Sequence, residues 1–351
     1  MLTIFSRIQA ANERTGKMPE KKPSMRDIAK VLDTSAVTVS KALAGKAGMS
    51  DALRQKILET AAQMGYEYPR GQNTLREHLE IGILIPDRFF APESYYAEIY
   101  KQLVRRLADL GHFGVLEILN QKDEKALTLP SLLTVKHVAG LILLGEPSRP
   151  YYRMLARTGT PVVFLDFYDE LAGADAVTGD NGYGTFRLTS HLIRLGHREI
   201  GFVGDIMATT SIMDRFLGFS RAMLINDLSI WKEWVLPDRD RAGNLAAPSL
   251  PEKLPTAFVC NCDMTARMMI SLLREKGLRV PEDISVTGFD DYPQNIGSDV
   301  PLSTFRIDTD EMIELAVRAL LDRCAGEKKP FSRMVVSGQP VYRDSEGPVS
   351  K

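Results

Sequence analysis

The sequence predicts a small all-α head with helix-turn-helix spacing, followed by a larger α/β body made of two parallel-sheet lobes. Three observations lead to this fold class. Three short helical patterns occupy residues 24–65, apolar runs of strand length alternate with helical stretches from Ile81 onward, and that alternation occurs in two successive series. A chain of 351 residues is long enough to form both parts.

Each of the three helices in the head has a signal at its start. Ser24, with Asp27 three residues later, resembles a capping box. Ser35 and Ser50 are good N-caps for the second and third helices. Residues 33–35 form the turn between the first two helices, and this spacing lets a second helix enter a DNA major groove. The alternative is a three-helix bundle that has no role in DNA binding.

The body is expected to contain two lobes of similar architecture. The apolar runs of the first lobe cover residues 81–85, 113–119, 138–144 and 162–165, and those of the second cover residues 200–203, 257–260 and 284–289. The helical stretches between them cover residues 96–110, 183–195, 213–225 and 264–276. Strand–helix alternation of this kind produces parallel sheets with helices on both faces. A ligand site is therefore expected beyond the carboxyl ends of the strands.

The composition is that of a globular protein, with 44% hydrophobic and 25% charged residues. No apolar run approaches the roughly 18 residues of a membrane helix, and the apolar stretch at residues 2–5 is too short for a signal peptide. We therefore expect a cytoplasmic protein without a membrane partner. Cys260, Cys262 and Cys324 have neither disulfide nor metal spacing, so no metal and no cofactor are expected.

The charge is divided unevenly along the chain. Residues 1–80 carry a formal charge of +4 and the remaining residues carry −5, although the whole chain has a net charge of only −1. A basic head on an acidic body is typical of a protein whose head binds nucleic acid. A solvated basic surface would explain the excess nearly as well.

The head carries a recognisable pattern of residues, which is Asp27-Ile28-Ala29, Ser35-x-x-Thr38-Val39-Ser40-Lys41, Leu43, Ser50, Arg54 and Gly65-Tyr66. Through these residues the head resembles the LacI/GalR family of bacterial transcription regulators, and the similarity extends over residues 24–345. The resemblance implies base contacts by Arg26, Ala36, Val37 and Lys41. It implies that phosphates are held by Ser24, Ser35, Thr38, Ser50 and Arg54. The sequence departs from the family pattern at the turn glycine, which is Asp33 here, and at the arginine replaced by Lys41.

The segment between head and body resembles the hinge helix of the same family. Leu75 stands at the position of the family's hinge leucine, which wedges a base step open in the minor groove. The alternative is that Leu75 packs against the body. The predicted organisation is a flexible extension at 1–23, a DNA-binding domain at 24–69, a hinge at 70–80, and an effector-binding and dimerisation domain at 81–345.

The body resembles periplasmic sugar-binding proteins through three motifs, which are residues 159–166 (GTPVVFLD), 195–202 (LGHREIGF) and 280–291 (VPEDISVTGFDD). The resemblance implies that Asp166 and Asp290 accept hydrogen bonds from ligand hydroxyls and that Arg215 donates as a fork. It also implies that Tyr95 or Tyr96 stacks on the ligand, although ordinary packing would explain the tyrosine pair almost as well. Cys262 replaces an asparagine that usually binds the ligand, and a thiol is a weak donor.

These resemblances imply a sequence-specific repressor that binds pseudo-palindromic double-stranded DNA as a homodimer and responds to a small, sugar-like effector. An enzyme on the same body is one alternative, but the sequence has no Walker loop, no G-x-S-x-G and no G-x-G-x-x-G after a strand. A secreted sugar carrier is another, but it would have no use for residues 24–43. We predict no catalytic residue, and we assign His197 to a helix C-cap beside Gly196.

Overall fold

The computed structural model describes residues 24–43, 49–64, 66, 78–92, 94–292 and 300–349. The chain divides by its contacts into two units, residues 1–77 and residues 78–351. The predicted extension at residues 1–23, Gly65, and Leu75 of the predicted hinge lie outside the described residues. None of the described helices combines the length and the apolar character needed to cross a membrane.

The head contains the three predicted helices, α1 (Met25–Val31), α2 (Ala36–Leu43) and α3 (Asp51–Gln63). Ile28, Val39 and Ile57, one from each helix, are fully buried against one another. These side chains form the apolar centre of the head, as the helical periodicity of the sequence predicts. Asp33, in the turn between α1 and α2, has a φ of 47°, which is the left-handed conformation that glycine adopts most easily.

The start of α1 is capped by the predicted pair. The Asp27 carboxylate accepts hydrogen bonds from the Ser24 backbone N–H at 2.9 Å and from the Ser24 hydroxyl at 2.6 Å. Asp27→Ala should therefore cost the head about 1 kcal/mol. Amides of α1 should exchange about fivefold faster in the full chain. Hydrogen exchange measures this effect, and Lys30→Ala, an exposed change on the same helix, is the control. Equal exchange rates in the two variants would contradict the capping assignment.

The first lobe of the body is built on a six-stranded parallel sheet. Its strands are β1 (Glu80–Pro86), β2 (Phe113–Leu119), β3 (Gly140–Leu144), β4 (Val162–Leu165), β5 (Asp175–Gly179) and β11 (Arg333–Val336). Their order in the sheet is β11-β5-β4-β3-β1-β2. The helices that belong to this lobe are α4 (Tyr95–Asp109), α5 (Gln121–Ala126), α6 (Ser131–Thr134), α7 (Arg149–Ala156) and α11 (Thr309–Cys324).

The second lobe is built on a four-stranded parallel sheet. Its strands are β6 (Ile200–Val203), β7 (Val235–Leu236), β8 (Ala257–Cys260) and β9 (Ser285–Thr287), in the order β7-β6-β8-β9. Its helices are α8 (Asn181–Arg194), α9 (Thr210–Ile225) and α10 (Asp263–Glu275). A short antiparallel pair, β10 (Thr304–Ile307) and β12 (Gly338–Val341), completes the body.

Apolar side chains cover both faces of each sheet, as strands with near-continuous apolar sequence predict. In β1, Ile81, Ile83 and Ile85 pack with residues of α4 and α11 on one face. Leu84 packs on the opposite face with Tyr151 and other aromatic residues. The predicted two-lobed α/β body is therefore confirmed. The predicted runs at 138–144 and 284–289 are shorter as strands. The helices α5–α7 and α11 and the strands β5, β7 and β10–β12 were not predicted.

Candidate functional site

The predicted DNA-binding residues of the head lie on its three helices or directly before them. Arg26, Ser35, Val37, Lys41 and Ser50 are exposed, and Ser24, Ala36, Thr38 and Arg54 are half-buried. Val37 is 65% exposed although it is apolar, so packing of the head does not explain its presence. An apolar side chain beside the cationic Lys41 suits contact with base edges, where thymine presents a methyl group and guanine presents acceptors.

The hydroxyl groups of the head have partners within the protein. The Ser24 hydroxyl donates to Asp27, and the Ser35 hydroxyl accepts from the Thr38 backbone N–H at 3.0 Å. The Ser35 and Thr38 hydroxyl oxygens are also 2.8 Å apart. These hydroxyls therefore fix the starts of α1 and α2, and any contact they make to phosphate would be additional to that role.

The effector-binding residues predicted in the body all line one cavity of about 240 Å³ between the two lobes. They are Tyr95, Tyr96, Asp166, Arg215, Cys262 and Asp290. Asp166 follows β4 and Tyr95 and Tyr96 begin α4 in the first lobe, whereas Arg215 lies on α9 in the second lobe. This convergence follows from the carboxyl ends of parallel strands meeting at one edge of each sheet.

Arg215 lines the cavity and is held in place by several partners. Its guanidinium donates to the Asn181 side-chain oxygen at 2.7 Å, to the Asn261 carbonyl at 2.6 Å and to Asp290 at 3.1 Å. It also lies 3.9 Å from the centre of the Phe289 ring, which adds a cation–π contact. A buried guanidinium fixed in this way is preorganised to donate its remaining N–H groups to a ligand oxygen.

Asp166 is fixed from the first lobe and contacts the second. Its carboxylate accepts a hydrogen bond from the Tyr96 hydroxyl at 2.7 Å, and its backbone carbonyl accepts one from Ser211 at 2.6 Å. The Tyr96 bond leaves further acceptor positions on the carboxylate. Tyr96 also contacts the Phe89 ring, with ring centres 5.4 Å apart, and Tyr95 contacts Tyr292 at 6.0 Å. The two tyrosines therefore pack against neighbouring aromatic rings and also line the cavity.

Burial sets the charge state of the cavity. It raises the pKa of Asp290 to about 7, even though Arg215 opposes the shift. Burial also raises the pKa of Asp166, against the effects of Arg215 and Tyr96. The pKa values of Tyr95 and Tyr96 are raised well above the ordinary value, chiefly by burial and then by the nearby carboxylates, so both phenols remain neutral donors.

The two carboxylates also have unusual backbone conformations. Asp166 has a φ of 70° and Asp290 a φ of 101°, both in the region that side chains with a Cβ rarely adopt. Asp166 directly follows β4 and Asp290 lies three residues beyond β9, and both side chains line the cavity. Strained backbone of this kind is concentrated at functional sites, because the surrounding structure must hold it in place.

Several residues of the cavity were missed by sequence reasoning. Phe89, Arg88, Ser211, Asn261 and Arg239 all line it. Asn261 directly follows β8 and could have been found by the rule that located Asp166. Arg239 follows β7, and a strand of two residues gives no sequence signal.

Comparisons with known proteins agree with this arrangement. The profile of the periplasmic binding protein-like domain family matches residues 189–346. The HTH-type transcriptional regulator MalR of Streptomyces coelicolor is 29% identical over 334 residues, which cover 92% of this chain and 96% of the relative. The ribose operon repressor of Haemophilus influenzae is 27% identical over 330 residues, covering 92% and 98% of the two chains.

Over 92% of its length, the chain is therefore similar to transcription regulators of the kind that its sequence resembles. The fold agrees with this similarity. The crystal structure of a lac repressor dimer bound to operator and an anti-inducer matches with a TM-score of 0.66 at 22% identity, over 93% of this chain and all of that one. The named curated relatives are transcription regulators and not enzymes, as the sequence predicts.

Two residues that depart from the LacI/GalR pattern have local explanations. Asp33, in place of the turn glycine, takes up the left-handed conformation that the turn requires. Cys262, in place of the asparagine, lines the cavity with its Sγ 3.3 Å from the Thr265 hydroxyl. Burial raises the pKa of the Cys262 thiol, so it remains a neutral and weak hydrogen-bonding group.

The His197 of the L-G-H motif has the predicted capping role through its backbone, and its side chain has a second structural role. The helix end is closed by the backbone, since Gly196 has a φ of 101° and the His197 N–H donates to the Leu192 carbonyl at 3.1 Å. The buried imidazole lies 2.8 Å from the Thr256 hydroxyl and 3.0 Å from the Gly347 carbonyl. It therefore connects the start of β8 to the C-terminal segment.

Proposed function

We propose that this protein is a cytoplasmic repressor that binds operator DNA as a homodimer and changes its operator affinity when a small, sugar-like effector enters the cavity between its lobes. The observation that carries the proposal is the convergence of six effector-binding candidates on one cavity in a chain that also has a helix-turn-helix head. A dimer follows from specificity, since a single head contacts few bases and a pair reads two half-sites.

The cavity supports a hydroxylated effector. Asp166 and Asp290 lie at the strand ends of different lobes and can accept hydrogen bonds from ligand hydroxyls. Tyr95, Tyr96 and Phe89 supply apolar surface for the C–H groups of a sugar ring. A ligand that contacts both lobes favours their closed arrangement, and it can shift operator affinity only by its differential affinity for the two arrangements.

The proposal is tested by measuring operator binding of the full chain with and without sugars that raise its thermal stability. A change in operator affinity of about 5- to 150-fold is the range expected for such coupling. A ligand that stabilises the protein and leaves operator affinity unchanged would contradict the proposed regulation. Failure to bind any operator fragment selected from random duplexes would contradict the function itself.

Lys41 and Arg54 should make different contributions to DNA binding. Lys41→Ala should cost on the order of 1–3 kcal/mol at the operator and relax sequence preference, because a side chain on α2 donates to base acceptors. Arg54→Ala should weaken operator and scrambled duplexes by similar factors, since a phosphate contact does not depend on sequence. Competition binding at fixed salt measures both, with thermal unfolding as the check on folding. The same ratio of operator to scrambled affinity in both variants would contradict these roles.

A further inference from the structure

The cavity contains a third class of polar group at Arg239, which lies three residues beyond the end of β7. A tight turn fixes its position. The Asp240 carboxylate accepts from the backbone N–H groups of Ala242 at 2.8 Å and Asn244 at 2.9 Å, and the backbone of Arg239 pairs with that of Leu245. Arg239 is therefore presented to the cavity by a rigid segment.

The three guanidinium groups that line the cavity differ in how they are paired. Arg88 makes a two-bond contact with Glu124, at 2.6 and 3.3 Å, and donates to the Glu146 carbonyl at 2.9 Å. Arg215 has the three partners described above. In the described part of the chain, Arg239 has one ion pair, to Asp238 at 3.5 Å, and no shorter polar contact.

Asp238, the ion-pair partner of Arg239, accepts hydrogen bonds from three other groups. The fully buried Asp238 carboxylate accepts from the Asn261 side chain at 2.6 Å, from the Thr265 hydroxyl at 2.6 Å and from the Asp205 backbone N–H at 2.9 Å. The Arg239 side chain is only 13% exposed, so water replaces few of its missing contacts. A mostly buried guanidinium with one long contact has N–H donors without a protein acceptor. Leaving such donors unsatisfied in a buried position costs free energy.

The surroundings of Arg239 differ from those of the two cavity carboxylates. Asp290 is bonded to Arg215 and Asp166 to Tyr96. Cys262 adds only a neutral thiol near the Arg239 guanidinium, because burial raises the pKa of the thiol by more than Arg239 lowers it. The cavity thus offers hydroxyl acceptors at Asp166 and Asp290 and a separate planar cationic donor at Arg239.

We infer that the effector carries an anionic group, a carboxylate or a phosphate, which Arg239 binds while Asp166 and Asp290 accept hydrogen bonds from hydroxyls. The guanidinium fork matches the geometry of both anions and binds them through two parallel N–H groups. This inference rests on the proposed function and narrows its effector from sugars in general to acidic or phosphorylated ones.

Matched ligands test the inference. Thermal shift and titration calorimetry on the full chain would compare glucose with glucuronate and gluconate, galactose with galacturonate, and inorganic phosphate with chloride at equal ionic strength. In the parent, phosphate and at least one acidic ligand should stabilise more than their neutral partners. Arg239→Gln should reduce the affinity for the acidic ligand by about 10- to 100-fold, and Arg239→Lys should recover part of it.

Arg241→Gln is the matched control. Arg241 lies on the same turn, is exposed and does not line the cavity, so this change removes the same charge without touching the proposed subsite. It should leave the preference for acidic ligands within about twofold of the parent, because an exposed charge is screened. An equal loss in Arg241→Gln and Arg239→Gln would overturn the inference.

Two further outcomes would also overturn it. One is that phosphate and every acidic ligand stabilise the parent no more than their neutral partners do. The other is that the acidic preference persists in Arg239→Gln. Failure of the proposed function is distinguished by measuring operator binding of the parent and of Arg239→Gln without any ligand, because the proposed DNA contacts are made by the head and not by Arg239.

Discussion

Asp290→Asn is expected to abolish the effect of the effector on operator affinity, while operator affinity without effector stays within a few-fold of the parent. Asp290 lines the cavity and bonds Arg215, whereas the proposed DNA contacts are made by the head. The substitution keeps the size of the side chain and removes the charged acceptor. Titration calorimetry for the effector, combined with operator binding at fixed salt, measures the two quantities separately. An unchanged response to effector would show that the body binds its ligand elsewhere.

The same substitution should change how stability depends on pH. Burial raises the pKa of Asp290 to about 7, from about 3.9 in an unfolded chain. Between these values the folded protein binds more protons than the unfolded chain, so the contribution of Asp290 to stability falls as pH rises from about 4 to about 7. The Asp290→Asn variant has no ionisable group at this position, so it does not lose stability in this way as pH rises. The free energy of unfolding of the variant, relative to the parent, should therefore increase by up to about 4 kcal/mol over that range.

Denaturant unfolding at several pH values provides the measurement. Asp283→Asn is the control, since the hydrogen bond from exposed Arg279 lowers the pKa of Asp283 to about 2. A group with a lowered pKa contributes stability above its unfolded pKa and loses it as pH falls through the folded one, so its effect lies below pH 4. Parallel pH profiles for Asp290→Asn and the parent would contradict the buried carboxyl assignment.

Gly218→Ala is expected to destabilise the body strongly. Gly218 of α9 faces the start of α8, and a Cβ at this position would overlap the Gly182 carbonyl oxygen and lie 2.8 Å from its carbonyl carbon. Backbone atoms cannot rotate away as a side chain can, so the two helices must separate. The expected cost is about 3 kcal/mol or more, at the upper end of overpacking effects. Because Arg215 on α9 bonds Asn181 on α8, effector affinity should fall as well.

Gly182→Ala is the matched control on the facing helix. A Cβ at this position would meet only the Asp214 carbonyl oxygen, at an ordinary 3.5 Å. Alanine is a better helix former than glycine, so this variant should be as stable as the parent or more stable by less than about 1 kcal/mol. Thermal and denaturant unfolding of both variants decide the matter. Similar stabilities for the two would mean that the helices do not approach closely at Gly218.

The sequence was most informative where local pattern and strand ends define structure. Asp166 and Asp290 could be located because each directly follows an apolar run of strand length in the sequence, and parallel strands bring such positions to one edge. Ser24 and Asp27 were recognisable because a capping box is a local motif. The head and the two-lobed body were predictable for the same reason, since helical and strand periodicities are read over short windows.

Elements that depend on long-range interactions could not be predicted from the sequence. β5 was missed because it begins with Asp175, a residue disfavoured in strands. In the structure the buried Asp175 carboxylate accepts from Arg323, 148 residues further along, at 2.7 Å. The strand is acceptable only with this partner, and nothing in the sequence near Asp175 reveals it. Arg239 was missed for a related reason, because the turn that presents it is recognisable only once its hydrogen bonds are known.

The connectivity of the first lobe has a consequence for how the chain folds during synthesis. The four strands of the second sheet all lie between residues 200 and 287, so that sheet is fully encoded before the first one is. β5 cannot pair with β11, and Asp175 cannot bond Arg323, until the ribosome has made residues 309–336. Until then the nascent chain carries an open sheet edge and a buried carboxylate without its cation. The first lobe to be translated is thus the last to be completed, and its exposed edge is where chaperones or aggregation would act.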